Sequence, residues 1–267
     1  MTKRRQSIDY TDKRTKHYNM RLFPVYHTDR YRGSSPTYKQ PVEINSYSID
    51  ADRRVWFDDR ELKYYYPATG TDLTLGYDKF IQRDETVPEH LDTLLDAITD
   101  ARLKSKDSHV TKANIVTWRG IMTKLLCTPY CRNEPWELRV TRYNDTIFIE
   151  EQATEDKKKK EAEASVRQQL MCYWGYKFET LSTVSIPPKQ MTNDHQELQD
   201  RINEGADTNI QYCVVVKTSL GKNSLIMGAE VDCTIDEKQA KDPLRHYIEL
   251  KTSRLIENYK QQNTFER

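Results

Sequence analysis

The stretch LIMGAEVDCTIDEKQAKDPLRHYIELKTS, from Leu225 to Ser253, constrains this chain more than any other. It holds two apolar segments of strand length, LIMGAEVDCTI, which with Ser224 reads SLIMGAEVDCTI, and RHYIELKTS, and each has charges at alternate positions. Side chains alternate faces along a strand, so Glu230 and Asp232 fall on one face while Ala229, Val231 and Cys233 take the other. The same arithmetic sets Glu249 beside Lys251, with Ile248 and Leu250 opposite. The polar connection DEKQAKDP lets the two strands lie near each other, which gathers three carboxylates and one ammonium on a single surface. Two like charges about 4 Å apart repel by roughly 4 kcal/mol at an effective dielectric near 20, and taking each carboxylate from water costs several kcal/mol more. One lysine does not compensate three acids. A cation is the natural remedy, and oxygen ligands of this kind suit Mg²⁺ or Mn²⁺, ions that activate water, orient a phosphate and stabilise a leaving oxygen. Acid-x-acid and acid-x-Lys are common spacings, so solvent-facing charges on an ordinary amphipathic strand remain the competing reading.

Elsewhere the patterning alternates between helix and strand. PEHLDTLLDAITDARLKS spaces Leu91, Leu94, Leu95 and Ile98 at helical intervals. TWRGIMTKLLCTPY suggests a second helix with Trp118, Met122, Leu125 and Leu126 on one face and Pro129 at its end. WELRVTRYNDTIFIEEQAT alternates on both sides of Asn144 and Asp145, a hairpin pattern. EDKKKKEAEASVRQQLMCYW reads as helical, and NIQYCVVVKTSL as a strand turning at Gly221 to Asn223 into the next. The triple tyrosine Tyr64 to Tyr66 before Pro67 reads as an extended stretch, either packed on a sheet or open to base stacking. Strands and helices therefore mix throughout one α+β domain over residues 21–267, behind a flexible, basic N-terminal arm over 1–20. Residues 1–40 hold ten Lys or Arg against three Asp. Such an arm either steers a polyphosphate or is simply a solvated tail.

Composition removes several function classes. With 31% charged residues and no apolar run near the roughly 18 residues of a membrane span, membrane residence is not expected. MTKRRQSIDY lacks the apolar stretch of a secretory signal, so an intracellular location is expected. The five cysteines form no CxxC pair and read as free thiols, and the six histidines form no HExxH grouping, which leaves zinc chemistry without support. Two further residues bear on the acidic strands. Glu179 ends the aromatic stretch CYWGYKFE, as a partly buried ligand or as the polar rim of a core. Arg119 in VTWRG is placed to grip a phosphate with two hydrogen bonds, or is a surface residue at a helix start.

Taken in order, TWRG, GYKFE, GAEVDC and YIELKT resemble the motif set of the DXO family of RNA 5′-end decapping and pyrophosphohydrolase enzymes. DDRELKYYYP, GIMTKLLCTPY and the terminal TFER resemble its fungal branch, which partners the nuclear 5′-to-3′ exoribonuclease. The similarity runs from about Tyr47 to the end. It implies two mixed β-sheets flanked by helices, with a catalytic core similar to metal-dependent nucleases that use Asp and Glu-x-Lys. It also implies that Glu179, Asp232 and Glu249, with the main-chain carbonyl of Leu250, ligate divalent cations, two in number. Glu230 would hold a water of the metal's shell, Lys251 would orient or activate the attacking water, and Arg119 would contact RNA phosphate. The implied substrates are RNA 5′ ends: triphosphates, losing pyrophosphate, incompletely methylated caps, and NAD caps as a related case. The implied product is 5′-monophosphate RNA for the exoribonuclease, in the nucleus. Family members continue past FER with a helix holding a site glutamine and further strands, so the C-terminal part of the fold is expected to be absent here. Two other readings use the same residues: a stabilising partner of the exoribonuclease with hydrolysis secondary, and a DNA nuclease with the same core.

Overall fold

The most apolar run in the chain lies at the centre of the larger sheet, because a strand covered on both faces has no polar side to present. The computed structural model describes residues 24–262 except 69–71, 108, 132–134, 194, 239–241, 254 and 258–261, so the expected arm over 1–20 and the terminal TFER lie outside the described residues. In chain order the strands and helices are β1 (Val42–Ile49), β2 (Val55–Trp56), β3 (Tyr64–Tyr65), α1 (Asp92–Lys104), β4 (Ile115–Trp118), α2 (Arg119–Cys127), β5 (Glu137–Tyr143) and β6 (Thr146–Gln152). There follow α3 (Glu155–Ala162), α4 (Val166–Leu181), β7 (Thr183–Val184), α5 (Gln196–Asn203), β8 (Gln211–Leu220), β9 (Asn223–Glu230), β10 (Cys233–Thr234) and β11 (Tyr247–Ile248). A seven-stranded mixed sheet has the order β2-β1-β8-β9-β4-β6-β5, and a four-stranded one the order β11-β10-β3-β7. The α+β class with two mixed sheets and flanking helices is thus observed. No helix of the described residues is long and apolar enough to cross a membrane.

Alternation along β8 sorts the core into two layers. Cys213 and Val215 pack with Tyr47, Ile226 and the α1 residues Leu94 and Ala97 on one face. Tyr212, Val214 and Val216 pack with Leu62, Leu225 and Met227 on the other. The β5–β6 hairpin turns through Asn144 and Asp145 at φ 45° and 63°, the mirror-image geometry that suits the twist of antiparallel strands. The parallel pairing of β4 with β9 sets Trp118 opposite Gly228. A Cβ on Gly228 would stand 2.4 Å from the Trp118 ring, which accounts for the glycine in GAEVDC by close packing.

Four elements differ from the expectations of the sequence. Trp118 ends strand β4 and only caps α2, so it does not share a helical face with Met122; Leu126 is exposed. On α1 the buried stripe is Leu94, Ala97 and Ala101, with Leu95 turned outward, because small alanines let the helix approach the sheet. The helix expected from Glu155 onward is two helices, broken where Ser165 begins a capping box with Gln168, and the second runs on to Leu181. Finally, SLIMGAEVDCTI is two strands in two sheets. The Val231 N–H still bonds Tyr212 O, whereas the Thr234 N–H bonds Lys63 O, so Asp232 sits at the crossover.

Candidate active site

That crossover opens onto a cleft of about 430 Å³ between the sheets, lined by Glu179, Glu230, Asp232, Tyr176, Gln211 and Arg83 among others. A wider depression of about 700 Å³ beside β1 also contains acids, but there Glu43 and Asp59 are already paired with Lys238 at 2.9 Å each. The functional chemistry therefore concentrates in the smaller cleft.

Glu179 reaches the cleft because of how α4 is anchored. Tyr173, Lys177 and Leu181 recur every fourth residue and form its buried stripe. The Tyr173 hydroxyl donates to Leu75 O at 2.6 Å, and the Lys177 ammonium, fully buried, donates to the carbonyls of Arg201 (2.9 Å) and Glu204 (2.7 Å). Two residues along a helix turn the side chain through about 200°, so fixing Lys177 inward sends Glu179 to the opposite side. Burial pushes the Glu179 carboxyl up to about 8, and the nearby Asp232 and Glu230 push in the same direction.

Asp232 and Glu230 arrive from the end of β9. Burial raises the Asp232 carboxyl above its ordinary value, opposed by the Leu250 N–H, which donates to Oδ2 at 2.6 Å. This bond from the Leu250 amide ties the crossover to the segment after β11. Burial also raises Glu230, whose Oε2 accepts from Gln211 Nε2 at 3.1 Å. Glu249, just past β11, pairs with Lys251 at 2.6 Å and with Arg119, at the first turn of α2, at 3.7 Å. Cys233 pairs with Ile248 across β10 and β11, so the two charged segments are neighbours, as expected from their short polar connection.

All six charged side chains singled out in the sequence thus meet in one neighbourhood: four carboxylates against Lys251 and Arg119. The all-oxygen, mutually repelling donor set fits a hard divalent cation. Among the described residues, however, no three Asp, Glu, His or Cys side chains converge as a ready ligand cluster. Glu249 is drawn to the two cations instead, and an incoming ion would compete with them for it. Sequence reasoning missed Gln211, Arg83 and Tyr176. Gln211 is an ordinary polar strand start in sequence, and only the pairing of β8 with β9 places it beside Glu230.

A family model described as RAI1-like PD-(D/E)XK nuclease matches residues 39–267. A decapping nuclease RAI1 of Neurospora crassa is 40% identical over 252 residues, covering 92% of this chain and 60% of that protein. A human decapping and exoribonuclease protein is 35% identical over 247 residues, covering 89% and 60%. Among solved structures, Candida albicans Rai1 in complex with pU5-Mn²⁺ superposes with a TM-score of 0.77 at 32% identity, covering 88% of this chain and 64% of that one. Scheffersomyces stipitis Rai1 in complex with (3′-NADP)⁺ and calcium ion gives 0.75 at 30% identity, covering 87% and 67%. The chain spans about 60% of the length of these two curated relatives.

Proposed function

Because this chain belongs to the RAI1-like PD-(D/E)XK nuclease family, we propose that it is a metal-dependent hydrolase acting on RNA 5′ ends. It releases pyrophosphate from 5′-triphosphate RNA, removes incompletely methylated or NAD caps, and leaves 5′-monophosphate RNA. One observation supports this reading above the others: Glu179 from α4 and Glu230 and Asp232 from the β9 crossover line one cleft, and Glu249 with Lys251, paired at 2.6 Å just after β11, lies within electrostatic reach of Glu179 and Asp232. When bound, Mg²⁺ or Mn²⁺, two ions in the proposed site, polarises phosphoryl oxygens and makes water a better nucleophile near neutral pH.

Glu179, Asp232 and Glu249, with the main-chain carbonyl of Leu250, would hold the cations. Lys251 is largely exposed and orients the attacking water, its ammonium kept protonated by Glu249. Arg119 offers its guanidinium to a phosphate as a two-pronged donor. Glu249 holds both cationic groups near the cleft, so a phosphate entering beside them finds its donors already gathered. The Candida albicans Rai1 complex with pU5-Mn²⁺ supports an RNA ligand and a divalent ion for the relatives of this chain. The proposed setting is the nucleus, where the product passes to a 5′-to-3′ exoribonuclease that this protein also stimulates.

Purified full-length protein is expected to release pyrophosphate from triphosphate RNA only with Mg²⁺ or Mn²⁺, and to leave duplex DNA intact. Asp232→Ala is expected to abolish the release. Full activity in that variant would sink the site assignment, and preferential cleavage of duplex DNA would favour the DNA nuclease reading.

A further inference from the structure

A polar chain enters the cleft from a side that the proposed chemistry leaves unused. In the turn after β1, the Asp50 carboxylate accepts the Asp52 and Arg54 N–H groups at 3.0 and 2.9 Å and the Trp56 indole N–H at 2.7 Å. The Arg53 N–H donates to Asp50 O at 2.9 Å. Arg53 thereby adopts φ 62°, left-handed backbone that costs a non-glycine residue about 1–2 kcal/mol. Glycine would adopt this conformation without that cost, so the arginine needs a reason in its side chain.

The guanidinium supplies one. Its Nη1 donates to Asn209 O at 3.0 Å and to Gln211 Oε1 at 2.5 Å, while Nη2 pairs with Glu89 at 3.2 Å, which also holds Arg83 at 2.7 Å. Gln211 in turn donates from Nε2 to Glu230 Oε2 at 3.1 Å. A guanidinium only donates and a carboxylate only accepts, so one orientation of the Gln211 amide satisfies both neighbours and the flipped one satisfies neither. We infer that Arg53 and Gln211 form a positioning relay: Arg53 fixes the direction of the Gln211 amide, and the amide fixes the Glu230 carboxylate at the wall of the cleft. The inference rests on reading that cleft as the hydrolytic site. Neither residue touches the reacting atoms.

The test is a double-mutant cycle on the full-length protein with Arg53→Met, Gln211→Leu and the pair combined. The readouts are kcat and KM on triphosphate RNA, Mn²⁺ affinity by calorimetry, and thermal melting. Loss of an outer group that orients a metal-site residue typically costs about 10-fold or more. Each single variant is therefore expected to lose about 10-fold in kcat with KM within about twofold, and to weaken Mn²⁺ binding. A relay is broken once, so the double variant is expected within about twofold of the slower single. Gln211→Glu, which keeps a partner for Arg53 but turns a carboxylate toward Glu230, is expected to fall at least as far as Gln211→Leu. Multiplied losses in the double variant overturn the relay, as do singles within twofold of wild type or kcat losses that follow melting with Mn²⁺ affinity unchanged. A wild-type protein with no hydrolysis refutes the hydrolase reading instead, and the Mn²⁺ cycle alone then decides the relay.

Discussion

Replacing Glu179 with Gln tests the electrostatic reading of the cleft without any substrate. The Glu179 carboxyl rises from 4.5 to about 8, first through burial and then through Asp232 and Glu230. Between those two values the folded protein binds a proton that the unfolded chain does not, so stability falls as pH rises through that window. A rise of that size corresponds to at most about 5 kcal/mol, at about 1.4 kcal/mol per pH unit. The cleft is open to water on one side, which screens the charges, and about 2–3 kcal/mol is the working figure. For a domain of this size that amounts to roughly 5–10 °C in melting temperature. In chelator, wild type is therefore expected to melt several degrees lower at pH 8.5 than at pH 6, while Glu179→Gln loses much less over the same interval. Millimolar Mn²⁺ is expected to restore wild type at pH 8.5 and to do little for the variant. Parallel pH curves for the two proteins would refute the claim that Glu179 is a repelled, buried carboxyl.

Substitutions at three further positions test how the scaffold holds the site. Gly228→Ala drives a methyl into the Trp118 ring and is expected to cost about 1–3 kcal/mol by denaturant titration, with Gly228→Ser no better. Lys177→Met leaves the carbonyls of Arg201 and Glu204 without their buried donor, a loss of about 2–3 kcal/mol that should also reduce activity by loosening the helix turn that presents Glu179. Asp145→Gly relieves a positive φ in the β5–β6 turn and is expected to change the melting temperature by a few degrees at most, upward, with activity unchanged. A downward shift there would contradict the mirror-image turn.

Alternation on both sides of Asn144 and Asp145 was enough to recognise the β5–β6 hairpin, because an alternating run has few other ways to bury its apolar side, and β8 was legible as an apolar run ending at the turn of Gly221. The helical spacing of Leu91 and Leu94 likewise marked α1. Trp118 was misplaced because an aromatic at the end of a strand and at the start of a helix satisfies either period over so short a window. The break at Ser165 had a local signature, the S-x-x-Q of a capping box, whereas the two residues of β7, directly after α4, are too few for any period to develop.

Residue identity and spacing singled out Glu230, Asp232, Glu249 and Lys251 as charges that crowd if their segments adjoin, while leaving open an ordinary solvent-facing strand. In the structure only Glu230 of these lies within a strand, and Asp232, Glu249 and Lys251 sit just outside strand ends. Other parts of the site depended on long-range packing. Glu179 enters because Lys177, two residues away, is held by carbonyls near α5, and Arg119 because β4 lies beside β9. Gln211 and Arg53 enter because β8 pairs with both β9 and β1. Those placements join residues up to 158 positions apart, as between Arg53 and Gln211, and nothing in a local window encodes such a meeting. It arises when both faces of the central sheet are buried and the chain must cross from one sheet to the other at Asp232.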